Sequence, residues 1–585
     1  MKNYLLSLTL VFLWCLSNQT ARAQYLDISQ AAGIDAPGPF RGLAFGDFDG
    51  DGWDDLYVCA RQGENKLYRN RGNGTFIDVG KAAGVNSSAN TRLAIWGDLN
   101  NDGYPELYLG NENEPDILFL NNGNGTFTDI AWNAGIYNPA NPFSVSMADV
   151  NQDGWLDIYV ANFKTENKLY LNNGNLTFSD YTFRSGAFST RNAMATLFFD
   201  FDNDRDLDLY LVHDGQPNLF YRNTGDGRFE EISEAAGVAD PGFGMGADAG
   251  DINNDGWLDL YVTNLYENKL YLNNGDGTFS DISKTAGVDD YGMGWGTNFL
   301  DFNNDGWLDL YVANDSYFSP YPNVLYQNNG DLTFRIVEAE GPVSSKLGGY
   351  GSACADIDLN GSVDIALSNT GTNDRLQLFE NNYPPESWVG FQLTGTTSNR
   401  DAVGARMEVW DDQGVKRMEE VVAGSSFASQ NSLLQHFGLG AATGIDSVRI
   451  LWPSGLEQRT GALEAGHYYQ ITEGGAPEIL NPQVTPTKEI VSNRSITIQS
   501  VFPNPAAERA NIRFSLAMPG RYQANIFNLH GQNIKILADA FGPAGEQVLQ
   551  WDGRNEAGQR QPSGVYFVAL RIGNERVIQP LVWRD

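Results

Sequence analysis

Cysteine and histidine are scarce in this chain, with three Cys and four His in 585 residues. No Cys/His cluster has metal-ligand spacing, and no GxSxG, HExxH or Walker phrase occurs. Zinc sites, serine-hydrolase elbows and P-loop chemistry therefore have no signature here. Basic residues are few as well: 38 Lys and Arg stand against 73 Asp and Glu, for a formal net charge of −35. Nucleic acid and anionic membranes are poor partners for such a surface. Long apolar runs are confined to the start. Lys2, the stretch from Tyr4 to Leu16 and Ala21-Arg22-Ala23 before Gln24 have the order of a secretory signal over 1–23. Nothing after it is long and apolar enough to span a bilayer as a helix. Trp14 before Cys15 does not suit a lipoprotein cleavage site. The mature protein is expected to be exported, with Cys59 and Cys354 either paired or present as buried thiols.

Asp, Asn and Gly are abundant, and they concentrate in one nine-residue phrase. It starts at Asp47, Asp98, Asp149, Asp200, Asp251, Asp301 and Asp356, at intervals of 51, 51, 51, 51, 50 and 55 residues. A period this regular means supersecondary units packed side by side. Positions 1, 3, 5 and 9 carry Asp, Asn or Glu in all seven copies, and position 7 can add a backbone carbonyl. The first three donor sets are Asp47, Asp49, Asp51 and Asp55 with Trp53; Asp98, Asn100, Asp102 and Glu106 with Tyr104; and Asp149, Asn151, Asp153 and Asp157 with Trp155. The fourth and fifth are Asp200, Asp202, Asp204 and Asp208 with Asp206, and Asp251, Asn253, Asp255 and Asp259 with Trp257. The last two are Asp301, Asn303, Asp305 and Asp309 with Trp307, and Asp356, Asp358, Asn360 and Asp364 with Ser362. Hard oxygen donors suit Ca2+, which takes about 6–8 oxygens in flexible geometry, over zinc or copper. Up to seven structural Ca2+ ions are expected. The phrases hold 23 of the 73 acidic residues at these positions, so much of the net charge is ligand charge. Gly at position 6 allows the sharp turn in six copies. Arg205 replaces it in the fourth, and the seventh departs at Asn360 and Ser362, so these two loops are expected to bind most weakly.

An apolar run such as LYV or LYL follows each phrase, so the ninth position opens a strand rather than a helix. Segments such as NKLYRNRGNGTFIDV, from Asn65, then place apolar alternation either side of Asn-Gly or Asp-Gly, a hairpin signal. Each repeat supplies about four short strands, which is one propeller blade, with the metal loop between the first two. The seventh repeat stops after 375–379 without its last strand, while the mature chain opens with one, Tyr25 to Ile28. That strand is expected to complete the last blade and close the ring, removing two exposed sheet edges. The fold class is all-β: a seven-bladed β-propeller with calcium-binding loops, followed by two small β-rich domains.

The loops and GTF hairpins over 24–385 resemble the FG-GAP/VCBS repeats of integrin α propellers. The resemblance implies calcium loops on one face. It implies ligand approach to the opposite face, built from the fourth-to-first and second-to-third strand connections. There the candidates are Phe40, Arg41, Arg61, Arg92, Phe163, Arg191, Tyr266, Tyr291, Trp295 and Tyr317, aromatic rings interleaved with cations on variable loops. Residues 386–475 are similar to the ASPIC/UnbV domain that follows such repeats in cartilage acidic proteins. SNRDAVGAR (398–406), FASQ (427–430), HFGLG (436–440) and WPSG (452–455) carry that resemblance, and they read as turns between strands. A Pro-bearing linker, 476–497, leads to 498–585. This last part resembles the type IX secretion C-terminal sorting domain through VFPNP (501–505), GRYQANIFNLHGQ (520–532) and SGVYFVAL (563–570). The resemblance implies export by the type IX machinery and a secreted or surface-attached product. The finish VIQPLVWRD departs from the basic, strand-like end usual for such tails.

Two functions remain open. One is adhesion to, or recognition of, an extracellular glycan or protein by a monomer, which fits the missing catalytic phrases. The alternative is a polysaccharide-active enzyme of lyase or dehydratase type using the propeller's ligand face. His213 and Asp214, after the second strand of the fourth repeat, are its catalytic candidates.

Overall fold

The computed structural model describes residues 25–337, 341–383, 386–482, 496–502, 506, 509–516, 520–528, 532–543, 545–572 and 575–584. The expected signal peptide and most of the expected linker lie outside the described residues. Seven four-stranded antiparallel sheets make up the first part of the chain. In the first, Phe40–Gly46, Asp55–Ala60, Lys66–Asn70 and Phe76–Asp78 pair in that order, and each repeat copies the pattern. The seventh sheet takes Gly349–Ala355, Asp364–Asn369 and Gln377–Asn381, and its fourth strand is Tyr25–Asp27. Tyr25 pairs with Asn381 and Asp27 with Phe379, so the N-terminal strand completes the last blade as the sequence requires. The first strands of successive blades pack side by side, and that of the seventh packs against that of the first. The ring is closed.

Both faces of each sheet meet a neighbouring blade, so the second strands are apolar throughout rather than alternating. Leu56, Tyr57 and Val58 are all fully buried. One polar residue per blade fastens the ring. The last residue of each third strand is Asn; Asn121 Nδ2 donates to the Phe48 carbonyl of the preceding blade at 2.8 Å. Asn172, Asn223, Asn273, Asn328 and Asn381 repeat this bond at 2.7–2.9 Å, and Asn70 carries it across the closure to Ile357. Cys59 and Cys354 are separate buried thiols, which decides between the two alternatives left by the sequence.

Residues 387–479 form two further sheets. One orders Gln435–Gly440, Ser387–Thr394, Tyr468–Thr472 and Glu478–Ile479. The other orders Lys416–Glu420, Arg406–Asp411, Gly444–Leu451 and Glu457–Thr460, with Leu463–Glu464 also on Gly444–Leu451. Glu478–Ile479 falls inside the expected linker because it pairs with Tyr469 and Gln470. The core of these sheets, including Phe391, Met407, Val448 and Trp452, is continuous with that of the second to fourth blades. Residues 488–585 are a separate unit. It has a three-stranded sheet of Ile496–Phe502, Ala510–Leu516 and Gly545–Trp551. Its four-stranded sheet orders Asn533–Gly542, Gly520–Asn528, Gly564–Ile572 and Glu575–Trp583. The finish of the chain is therefore a strand after all, anchored by Trp583, 1% exposed with its ring 4.9 Å from that of Trp551.

Candidate functional site

Each nine-residue phrase forms the connection between first and second strands, and its wiring repeats. Asp47 accepts the N–H of Asp51 on Oδ1 (3.1 Å) and of Gly52 on Oδ2 (2.8 Å), and Asp51 accepts the Trp53 N–H (3.1 Å). The ninth residue, Asp55, accepts the N–H groups of Phe48 (3.2 Å) and Asn70 (2.8 Å), tying the loop to the third strand. Asp309 and Asp364 make the same pair of bonds in their blades. The position-6 glycines sit at φ between +87° and +91°, a conformation that side chains resist. Arg205 takes that place at φ +77°, and its N–H still reaches Asp200 Oδ2 at 3.0 Å. The fourth loop keeps the turn and carries the strain. Side chains at position 4 link neighbouring loops: Asn101, Asn254 and Asn304 donate to the carbonyls of Gly154, Gly306 and Gly361 at 3.0, 2.9 and 2.7 Å.

Three loops bring carboxylate oxygens within 4.8 Å of one another: Asp47, Asp49 and Asp55; Asp200, Asp202 and Asp208; and Asp356, Asp358 and Asp364. Two of these are the loops whose sequences depart most. Their departures at Arg205, Asn360 and Ser362 leave the carboxylates together. Burial, with repulsion from neighbouring Asp, pushes Asp47 and Asp356 up to about 7 and Asp149 and Asp251 up to about 6. Negative charge held this deep calls for a counter-cation. The donor set of carboxylates, amide oxygens and a main-chain carbonyl fits Ca2+. Positions 1, 3, 5 and 9 of each loop would hold it, and it would cross-link the loop rather than activate a substrate.

The second domain covers these loops, a contact absent from the sequence reading. Asp401 Oδ2 accepts the Asp98 N–H at 2.7 Å, and Glu420 Oε1 the Asp200 N–H at 3.1 Å. Tyr468 donates to Asp356 Oδ2 at 2.9 Å, His436 Nε2 lies 2.7 Å from Asn304 Oδ1, and Arg406 bonds Asn203 and the Gly256 carbonyl. Gly438 lies so close that a Cβ would come 2.0 Å from Asp301 Oδ2. Residues 421–434 then enter the propeller's central channel. Ala423 and Ser426 carbonyls accept the N–H groups of Met147 and Ala247 at 3.1 Å each, and Gln430 exchanges main-chain bonds with Leu43 and Phe45 at 3.0 and 3.1 Å. Gln430 Oε1 also accepts the Trp96 N–H (2.7 Å). At the far end Phe427 is fully buried, its ring 4.7 Å from Trp295 and 4.9 Å from Tyr350. Each of the four phrases read as turns thus meets the propeller, through Asp401 and Arg406, Phe427 and Gln430, His436 and Gly438, and Gly455. Their signal was present, in a Phe inside a polar run and a glycine between apolar residues, but nothing local said what they touch.

This plug reshapes the opposite face. Phe40, Arg41 and Arg92, expected to be exposed, are 4%, 6% and 6% exposed, because they wall the channel mouth. Arg41 and Arg92 share Glu112 as ion-pair partner, at 2.7 and 3.0 Å, and Arg92 lies over the Phe143 ring (3.7 Å). Trp295 is half-buried against Phe427, Phe163 is half-buried, and Arg191 donates to the Pro217 carbonyl (2.6 Å). Arg61, Tyr266, Tyr291 and Tyr317 are exposed as expected. The sequence reading missed Trp132, Tyr137, Phe183 and Phe188, which are 80%, 57%, 70% and 39% exposed. They stand on or just after the helical turns that follow the second and third blades, where the first repeat's equivalents are Lys81 and Asn86 and the fourth's are Glu234 and Ala239. Comparing the repeats column by column finds them. His213 is fully buried, and burial, helped by the Arg191 charge, lowers its pKa to about 3. The imidazole therefore sits neutral inside its blade, while Asp214 next to it in the chain is half-exposed.

Comparison with known proteins agrees with this architecture. The secretion system C-terminal sorting domain matches 500–584 and indicates export with surface or outer-membrane association, and the ASPIC and UnbV domain matches 395–478. Cartilage acidic protein 1 of Mus musculus is 32% identical over 205 residues, covering 32% of this chain and 31% of that protein. The Homo sapiens protein is 31% identical over 205 residues, covering 32% and 30%. The chain matches less than a third of the length of these relatives. A solved Agrocybe aegerita lectin, described as recognising non-reducing terminal N-acetylglucosamine, aligns at 18% identity with a TM-score of 0.36. It covers 54% of this chain and 83% of its own. The FG-GAP-like repeat matches six overlapping segments from 47 to 367, more than half of the chain, and the protein belongs to that repeat family.

Proposed function

We propose that this protein is an exported, calcium-loaded surface protein that recognises an extracellular glycan or protein through the propeller face opposite its calcium loops. One observation carries the reading. Among the described residues, the propeller exposes ten large aromatic side chains: Trp132, Tyr137, Phe183, Phe188, Phe243, Tyr266, Tyr291, Tyr317, Phe318 and Tyr321. All lie on fourth-to-first or second-to-third strand connections, and so on one face, in an arc from the second blade to the sixth. Exposed rings among charged loops are what sugar faces and protein hot spots need. Calcium is structural in this reading, and the sorting domain engages the type IX machinery. The protein acts as a monomer.

The test is binding of the mature chain to a glycan and matrix-protein array, in calcium and in chelator. Saturable binding that falls in Trp132→Ala/Phe183→Ala or Tyr266→Ala/Tyr317→Ala is the expected result. A blank array from a folded, calcium-loaded sample contradicts the proposal.

A further inference from the structure

The seven loops are not equally charged. At positions 1, 3, 5 and 9 the first and fourth carry four carboxylates each, and the other five carry three. In those two blades alone, the third-strand residue just before the inter-blade Asn is arginine: Arg69 and Arg222. The other blades have Leu120, Leu171, Leu272, Gln327 and Glu380. The place of that residue makes the match physical. Arg69 has 8% of its side chain exposed; Nε lies 2.7 Å from Asp49 Oδ2 and Nη2 3.2 Å from Asp51 Oδ2. From the same place in the sixth blade, Gln327 Nε2 reaches Asp305 Oδ2 at 3.3 Å. Arg222 faces Glu230 across the strand pair at 2.8 Å. Glu380 turns to Asn382 (3.0 Å), beside the one loop with a neutral fifth position, Asn360. In the fourth loop Arg205 reaches the Gly455 carbonyl and Asp206 accepts from Gln152.

We propose that Arg69 is a built-in counter-charge that offsets the fourth ligand carboxylate of the first loop, so that this loop takes a hard divalent cation with an affinity similar to that of the three-carboxylate loops. The inference rests on the calcium reading above. A carboxylate has two oxygens, so Asp49 and Asp51 can each face Arg69 with one and an ion with the other. Arg69 also steadies the first loop before an ion arrives, by neutralising one of its mutually repelling charges.

Calcium titration of the mature chain by calorimetry and equilibrium dialysis tests this, comparing wild type with Arg69→Gln, Arg69→Lys and Leu171→Arg. Removing the charge is expected to tighten one site about tenfold and to lower the calcium-free melting temperature, with the lysine variant close to wild type. Adding a charge beside the third loop is expected to weaken one site about tenfold. Unchanged isotherms for Arg69→Gln and Leu171→Arg, on a chain that binds calcium, overturn the counter-charge role. If Arg69→Gln fails to fold, Leu171→Arg alone decides. A wild-type chain that binds no calcium overturns the underlying calcium reading instead.

Discussion

The two faces of the propeller are built from the same repeats and end up as opposites. On the loop face the seven phrases are near copies, each wired by the same backbone bonds to its carboxylates, and a second domain covers them. On the other face the connections differ from blade to blade and carry the ten exposed aromatics found among the propeller's described residues. Repetition therefore marks the side that holds the ring together, and divergence marks the side free to meet something else. The comparison can be broken at either face.

The largest effect should come from chelation. A site filled at about 100 times its Kd adds about 2.7 kcal/mol, and several loops share the ring, so removing calcium should lower the melting temperature by roughly 10 °C or more. Calorimetric melts in calcium and in chelator check this, and coincident melts would show that the loop face needs no ion. Next comes the plug. Phe427→Ala opens a cavity between Trp295 and Tyr350 and should cost about 3–5 kcal/mol in denaturant unfolding.

A smaller, pH-dependent effect sits at Glu473, inside the second domain. Burial alone would raise its pKa. The Ser454 hydroxyl and the N–H groups of Thr396, Ser398 and Thr397 outweigh that and hold it at about 2. A lowered carboxyl contributes stability above its unfolded value and loses it as the folded group protonates. Glu473→Gln should therefore cost about 1–3 kcal/mol at neutral pH. The gap from wild type should close as pH falls from about 4.5 through about 2. A pH-independent gap in unfolding midpoints would remove the charge from the account. The smallest effect on stability belongs to the open face. Trp132→Ala should shift unfolding by no more than about 0.5 kcal/mol, while reducing any ligand binding measured on the array.

What the sequence revealed follows the same division. The period, the phrase and the strand missing from the seventh repeat placed the ring, its loops and its closure through Tyr25–Asp27, because all three are statements about repetition. The inter-blade Asn ring was equally periodic but sat within a hairpin already explained as a turn, so its second bond went unread. The plug was illegible for a different reason. Gln430 and Trp96 are 334 residues apart, and no local pattern encodes their contact. The buried Arg41 and Arg92 misled for the same reason, since their exposure depends on whether Phe427 fills the channel. Trp132 and Phe183 escaped notice because a search for what repeats passes over the positions where copies differ.

The central claim is that calcium holds one face, and the domain docked on it, while leaving the other face unchanged. Hydrogen–deuterium exchange of the mature chain in calcium and in chelator tests it most directly. Chelation should speed exchange together in the seven phrases and in 421–434, with little change in the connections bearing Tyr266 and Tyr317. Equal protection of the phrases in both conditions, or a response confined to the aromatic face, would contradict it.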